Sequence, residues 1–182
     1  MIERPPDTLI VQTHTHLVVD ALDRLTRLRA LGCDLRVHVS IETDLDHLPG
    51  LPPHGSPIER RFAAAASIRS AGIPVVVTVS PLLPIADPDR FFARVAEVAD
   101  AVVLDHFIGG DGTPGGTRTL RTRLPDAMRA VDPGSVSLDY RDHMAEIARR
   151  HLPGRVGLHI DGFASRWESG ATRVNMANRR DV

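Results

Sequence analysis

Residues 35–44 read LRVHVSIETD: Leu35, Val37, Val39 and Ile41 are apolar, and Arg36, His38, Ser40 and Glu42 between them are polar. A period of two over this length is the signature of a β-strand with one buried face. If the apolar side packs on helices, the other side presents a guanidinium, an imidazole, a hydroxyl and a carboxylate in succession. The fold turns on what that second side faces.

Working outward, residues 8–13, TLIVQT, predict a preceding strand, and the spacing of Leu17, Val18, Ala21, Leu22, Leu25, Leu28 and Leu31 predicts a helix closed by Gly32. After a proline- and glycine-rich loop over 45–57, a helix runs through Arg61, Ala64, Ile68 and Ala71 to Gly72. PVVVTVS, at 74–80, is a third strand. Asp87 followed by Pro88 is an N-cap with proline at the first helical position, opening a helix that carries Phe91, Phe92, Val95 and Val98. AVVLD at 101–105 is a fourth strand and RVGLHID at 155–161 a fifth, with one or two helices over 122–151 between them. GGDGTPGGTR, at 109–118, has neither the lysine nor the helix cap of a phosphate-binding loop and reads as a flexible lid.

Strand and helix alternate along the chain, which predicts an α/β fold with a parallel sheet and crossover helices. Parity extends the reading of 35–44. In the third strand Val75, Val77 and Val79 pack outward, leaving Val76, Thr78 and Ser80; in the fifth, Val156, Leu158 and Ile160 pack outward, leaving Gly157, His159 and Asp161. The first strand places Gln12 and His14 on the side of Ile10. A sheet covered on both faces is apolar throughout. Here the second side becomes more polar toward the strands' C-terminal ends, as in a barrel whose chemistry sits at its C-terminal mouth. A closed eight-stranded barrel takes roughly 250 residues, so this chain predicts a partial (β/α) barrel of about five strands over 1–166, followed by an irregular tail over 167–182.

Composition narrows the function classes. The net charge of −1 carries no electrostatic footprint for nucleic acid. All 22 basic residues are arginine, which reads first as the codon bias of a GC-rich genome. No stretch approaches the ~18 apolar residues of a membrane span, and MIERPPDTLI lacks signal-peptide architecture, so the expectation is a cytoplasmic protein. Cys33 is the single cysteine; within one copy it permits no disulfide, no cysteine-based zinc site and no protein-ligated iron–sulfur cluster.

VSIETD, followed by RRFAAAASIRSAGIPVVVTVSPLLP, resembles the middle of a radical S-adenosylmethionine (SAM) protein, in the branch that includes spore photoproduct lyase. The matching features are Ser40–Asp44, Arg61–Ala64 and Ala71–Pro81, preceded by QTHTH and followed by DHFIGGDG and VGLHIDGF. The resemblance spans roughly residues 8–166 and implies the C-terminal half to two-thirds of a partial (β/α)₆ barrel. It implies SAM and a [4Fe–4S] cluster as family cofactors, with Ser40 contacting SAM in the lumen; Ser80, at the next strand's mouth, is a weaker candidate by position. The family's CxxxCxxC loop is not in this sequence. The expectation is therefore the SAM- and substrate-side part of a longer, split or truncated enzyme, not catalytic alone, with an N-terminal half-barrel partner or a homodimer supplying the missing strands. Gln12, His14, His38, Glu42, Asp44, Thr78, Asp105, His106, His159 and Asp161 are the candidate cleft residues.

Two alternatives stand beside it. A metal-dependent hydrolase of amidohydrolase type would use His14 and His16 as its first-strand pair, with His106, His159 or Asp161 from later strands. A non-catalytic binding or assembly module would use the open edge of the half-barrel. Glu42 and Asp44 also have a plain reading as caps of the following turn, Asp105 and His106 as a loop-orienting pair, and Arg60 and Arg61 as solvated or loop-pinning charges at a helix start.

Overall fold

A computed structural model describes residues 4–167. Five strands, β1 (Thr8–Thr13), β2 (Asp34–Ser40), β3 (Val75–Val79), β4 (Ala101–Leu104) and β5 (Val156–Leu158), form one all-parallel sheet in the order β1-β2-β3-β4-β5. Five longer helices lie between them: α1 (Leu22–Ala30), α2 (Ile58–Ser70), α3 (Pro88–Val98), α4 (Leu124–Val131) and α5 (Leu138–His151). The architecture is an α/β fold in the pattern of a partial barrel, because sequential neighbours pair and the crossover helices α1, α2, α3 and α5 share one face.

That face carries the main core. Leu35, Val37, Val39, Val75, Val77, Val79, Val102, Leu104 and Val156 meet Leu25, Leu28, Phe62, Ile68, Phe91, Phe92, Met144 and Ala148. The expected strand parity is therefore observed. The sequence signals that end and begin the helices act as expected too. Gly32 and Gly72 take φ +94° and +77°, a left-handed conformation that closes α1 and α2 without a Cβ penalty. The Asp87 side chain accepts the Arg90 N–H at 3.1 Å, with Pro88 in the first turn of α3.

Three expectations are corrected. The chain before α1 winds first as a 3₁₀ turn, His16–Ala21, so the predicted single helix is two segments. The stretch 109–118 is not an open lid: Asp111 accepts the N–H groups of Thr113 and Thr119 and the Thr113 hydroxyl, at 2.6 to 2.9 Å, and short helical turns follow. Those bonds hold the Asp111 carboxyl well below its usual range.

The largest correction is β5, which ends at Leu158. His159 takes φ 49°, a left-handed turn, and the chain enters the short helix α6 (His159–Phe163). Ile160 is consequently 81% exposed rather than packed outward, and Asp161 is exposed and bonded to Arg166 at 2.9 Å. The segment 159–167 then crosses the sheet's second face, where Phe163 and Trp167 pack on Val76, Ala101 and Val103. The predicted irregular tail lies, beyond Trp167, outside the described residues. Among the described residues no helix is long and apolar enough to cross a membrane.

Candidate functional site

The strand register stacks the second face in tiers. Gln12, His38, Val76 and Ala101 are paired across one level, and Ser40, Thr78, Val103 and Gly157 across the next. Two residues further along each strand stand Glu42, Ser80, Asp105 and His159, an entirely polar rim at the C-terminal mouth. Strand register brings Glu42, Ser80 and Asp105 to this mouth, and the left-handed turn at His159 carries its imidazole to Asp105.

The rim holds two hydrogen-bonded groups. In the first, Glu42 accepts Arg61 Nη1 at 2.7 Å through Oε2 and His14 Nδ1 at 2.9 Å through Oε1. Arg61 lies on the first turn of α2, and the same Nη1 donates to the Ser40 carbonyl at 2.6 Å. The side chains of Arg61 and Glu42 are only 2% and 8% exposed, whereas that of His14 is 65% exposed. Among the described residues, Arg61 Nε and Nη2 are buried with no hydrogen-bond partner. Such donors raise the free energy until an acceptor meets them.

Arg61 lines a cavity of about 490 Å³, within the usual range for a small-molecule site. His14, Glu42, His54 and Ser56 supply polar walls, while Pro81, Leu83 and Leu124 close the apolar side. Ser56 is fixed by His16, whose backbone N–H and Nδ1 lie 3.1 and 2.7 Å from its hydroxyl oxygen. His54 Nε2 donates to the Leu45 carbonyl at 3.1 Å.

In the second group, Asp105 accepts the Ser80 hydroxyl at 3.2 Å and His159 Nδ1 at 3.0 Å. Arg141 of α5 donates to the other imidazole nitrogen of His159 and to Asp142. The donation to Asp105 fixes the neutral His159 ring as its Nδ1–H tautomer, leaving Nε2 as acceptor.

Other expected cleft residues have different places. Ser40 is fully buried, its hydroxyl bonded with that of Thr78 at 2.9 Å, and neither lines the cavity. Ser40 acts on the site through its carbonyl, which orients Arg61. His106 is a core residue: Nε2 donates to the Ser135 carbonyl at 3.0 Å, Nδ1 accepts the Ile108 N–H, and burial pushes its pKa down. Asp44 accepts the N–H groups of Ala86 and Asp87 at 2.8 and 2.9 Å, so it pins the distant chain before α3 and does not cap the turn that follows it. Gln12 is exposed on β1. His38 is buried on the second face beside Phe163, and burial, reinforced by Arg36, lowers its pKa to about 4.

His14, His16, His106 and His159 fall into four separate hydrogen-bonded groups with Glu42, Ser56, Ser135 and Asp105, and Asp161 points elsewhere. Among the described residues, no three histidine, cysteine or acidic side chains are grouped to hold a metal ion. Arg61 and Arg141 are the residues that sequence reading underrated. The signal for Arg61 was present: it shares the helical stripe of Ala64 and Ile68, a charge on a core-facing position. Arg141 gave none, since its role depends on where β5 ends.

The fold and rim define an α/β protein in the pattern of a partial barrel, with a polar C-terminal mouth. No family model matches the sequence, and no curated protein matches it.

Proposed function

We propose that this chain is the SAM- and substrate-side part of a radical SAM barrel of the photoproduct lyase-like branch. The observation that carries this reading is Arg61: a buried guanidinium with two unpartnered nitrogens, lining a cavity at the C-terminal mouth. A guanidinium edge of this kind suits a carboxylate, and SAM ends in one. Glu42 and the Ser40 carbonyl hold Arg61 in place from behind. Leu83, Leu124 and Pro81 offer an apolar wall to the rest of the ligand. The order of strands and the single-sided helices support the same reading, since they leave the rim open at one mouth.

The cluster does not fit the residues present. SAM becomes a source of carbon-centred radical only when a reduced [4Fe–4S] cluster cleaves its sulfonium, and that cluster needs three thiolates. Cys33 is one thiol, buried just before β2 at the opposite end from the rim, and burial raises its pKa. No reaction step is therefore assigned to this chain, and the cluster ligands would come from other polypeptide. The outer edge of β1 supports such a partner, because β1 pairs only with β2 in the described sheet.

S-adenosylhomocysteine, which keeps the carboxylate and needs no cluster, is the probe. Calorimetry should show saturable binding, weakened about tenfold or more by Arg61→Lys, which removes the planar fork. 5′-Methylthioadenosine has no carboxylate and should bind more weakly, with no response to Arg61→Lys. Equal binding of the two nucleosides, or no saturable binding of either, would sink the proposal.

A further inference from the structure

The segment 159–167 lies across the very face that the polar rim would lead into. We propose that it is a displaceable strap, and that its departure uncovers a second ligand-facing wall carrying Arg36 and His38. The inference rests on the fold and on this segment alone, and stands whether or not SAM is the ligand.

Three observations carry it. It holds the only non-glycine residues with positive φ among those described, His159 at 49° where it begins and Ser165 at 59° near its end. L-residues adopt that conformation at a cost, and such strain concentrates where an element has a second state. Beneath the strap, His38 Nε2 and Arg36 Nε are buried without hydrogen-bond partners among the described residues. A structural cover built to stay would satisfy them. Phe163 stacks 6.3 Å from the His38 ring and offers it nothing polar. Ser165 engages Arg36 through one hydroxyl only.

The strap nevertheless has a defined seat. A Cβ on Gly162 would stand 2.8 Å from both the Gly157 carbonyl carbon and Val103 Cγ1, so two glycines let the backbones touch. Phe163 and Trp167 fill the shallow apolar patch of Val76, Ala101 and Val103. The seat makes the covered state specific, while the strained ends and orphaned nitrogens oppose it. With the strap away, the wall presents a guanidinium and an imidazole. Those are groups for an oxygen acceptor on a ligand, a carboxylate or a carbonyl.

Trp167 is the sole tryptophan, so its fluorescence reports the strap directly. In the intact chain, hydrogen exchange should release the amides of Ala164, Ser165 and Arg166, which bond within the strap, about 100-fold or more faster than those of β3 and β4. Gly162→Ala should red-shift Trp167 emission and raise its quenching by iodide while the urea midpoint stays within error. Strap amides exchanging at the rate of β3 and β4, or Gly162→Ala lowering the global midpoint with no selective change at Trp167, would show a fixed part of the core and overturn the proposal.

Discussion

The two faces of β2 and β3 are separated by one residue of chain and differ in almost every physical respect. On the helix side Leu35, Val37, Val39, Val75, Val77 and Val79 are buried against α1, α2 and α3. On the other side Arg36, His38, Ser40, Thr78 and Ser80 carry polar atoms, with Ser40 paired opposite Thr78 and nitrogens of Arg36 and His38 without partners. The first face is where burying apolar area stabilises the fold. The second gives up part of that gain to hold an imidazole and two hydroxyls buried, and Arg36 and Ser80 half-buried. A sheet that invests one face in packing can keep polar chemistry on the other.

The contrast breaks first on the helix side. Phe92 is fully buried, with Phe91 edge-on at a centroid distance of 5.1 Å. Phe92→Ala should cost about 4 kcal/mol, the range for a large side chain removed from a close-packed core. Urea denaturation would show it as a lowered midpoint with an unchanged slope; a loss under 1 kcal/mol would mean that this face is not the seat of stability.

On the rim the test is a cycle. Glu42→Gln leaves Arg61 buried without its carboxylate and should cost about 3 kcal/mol, as breaking one partner of a buried pair does. Arg61→Met combined with Glu42→Gln should recover part of that loss, because no charge is left uncompensated. Additive losses in the double variant would show that the two side chains do not act as a pair.

These expectations also mark what could be read from the sequence. The alternation of 35–44 and the valines of 74–80 gave the sheet and its two faces, because a period of two leaves no other regular structure available. The rim residues Glu42, Ser80 and His159 followed from the same parity, and Asp105 was named as a cleft candidate at the end of the fourth strand. What escaped was decided by distance along the chain. Asp44 spends its carboxylate on Ala86 and Asp87, and His106 spends its imidazole on Ser135, and no local pattern announces either partner. Ile160 and Asp161 were misplaced because His159 turns left-handed, and a histidine at that position carries no signal that a glycine would have carried. The Gly-rich stretch 109–118 looked free because the bonds of Asp111 close a turn rather than extend a strand or helix.

The smallest effect is the most specific to the second face, because it depends on pH. Burial holds His38 near a pKa of about 4 against an ordinary value of 6.5. Above pH 6.5 the ring is neutral in both folded and unfolded chains, and its titration costs nothing. As the pH falls below 6.5 the unfolded chain takes up a proton that the folded chain refuses, so stability is lost progressively down to about pH 4. At pH 5 the loss from this one group is about 2 kcal/mol. His38→Leu removes both the titration and the orphaned Nε2, so its stability should match or exceed that of the parent at pH 7.5 and pull ahead by about 2 kcal/mol at pH 5. Parallel urea curves at the two pH values provide the measurement. An equal fall in parent and variant would assign the acid sensitivity to other groups and leave the polar face no costlier to fold than the apolar one.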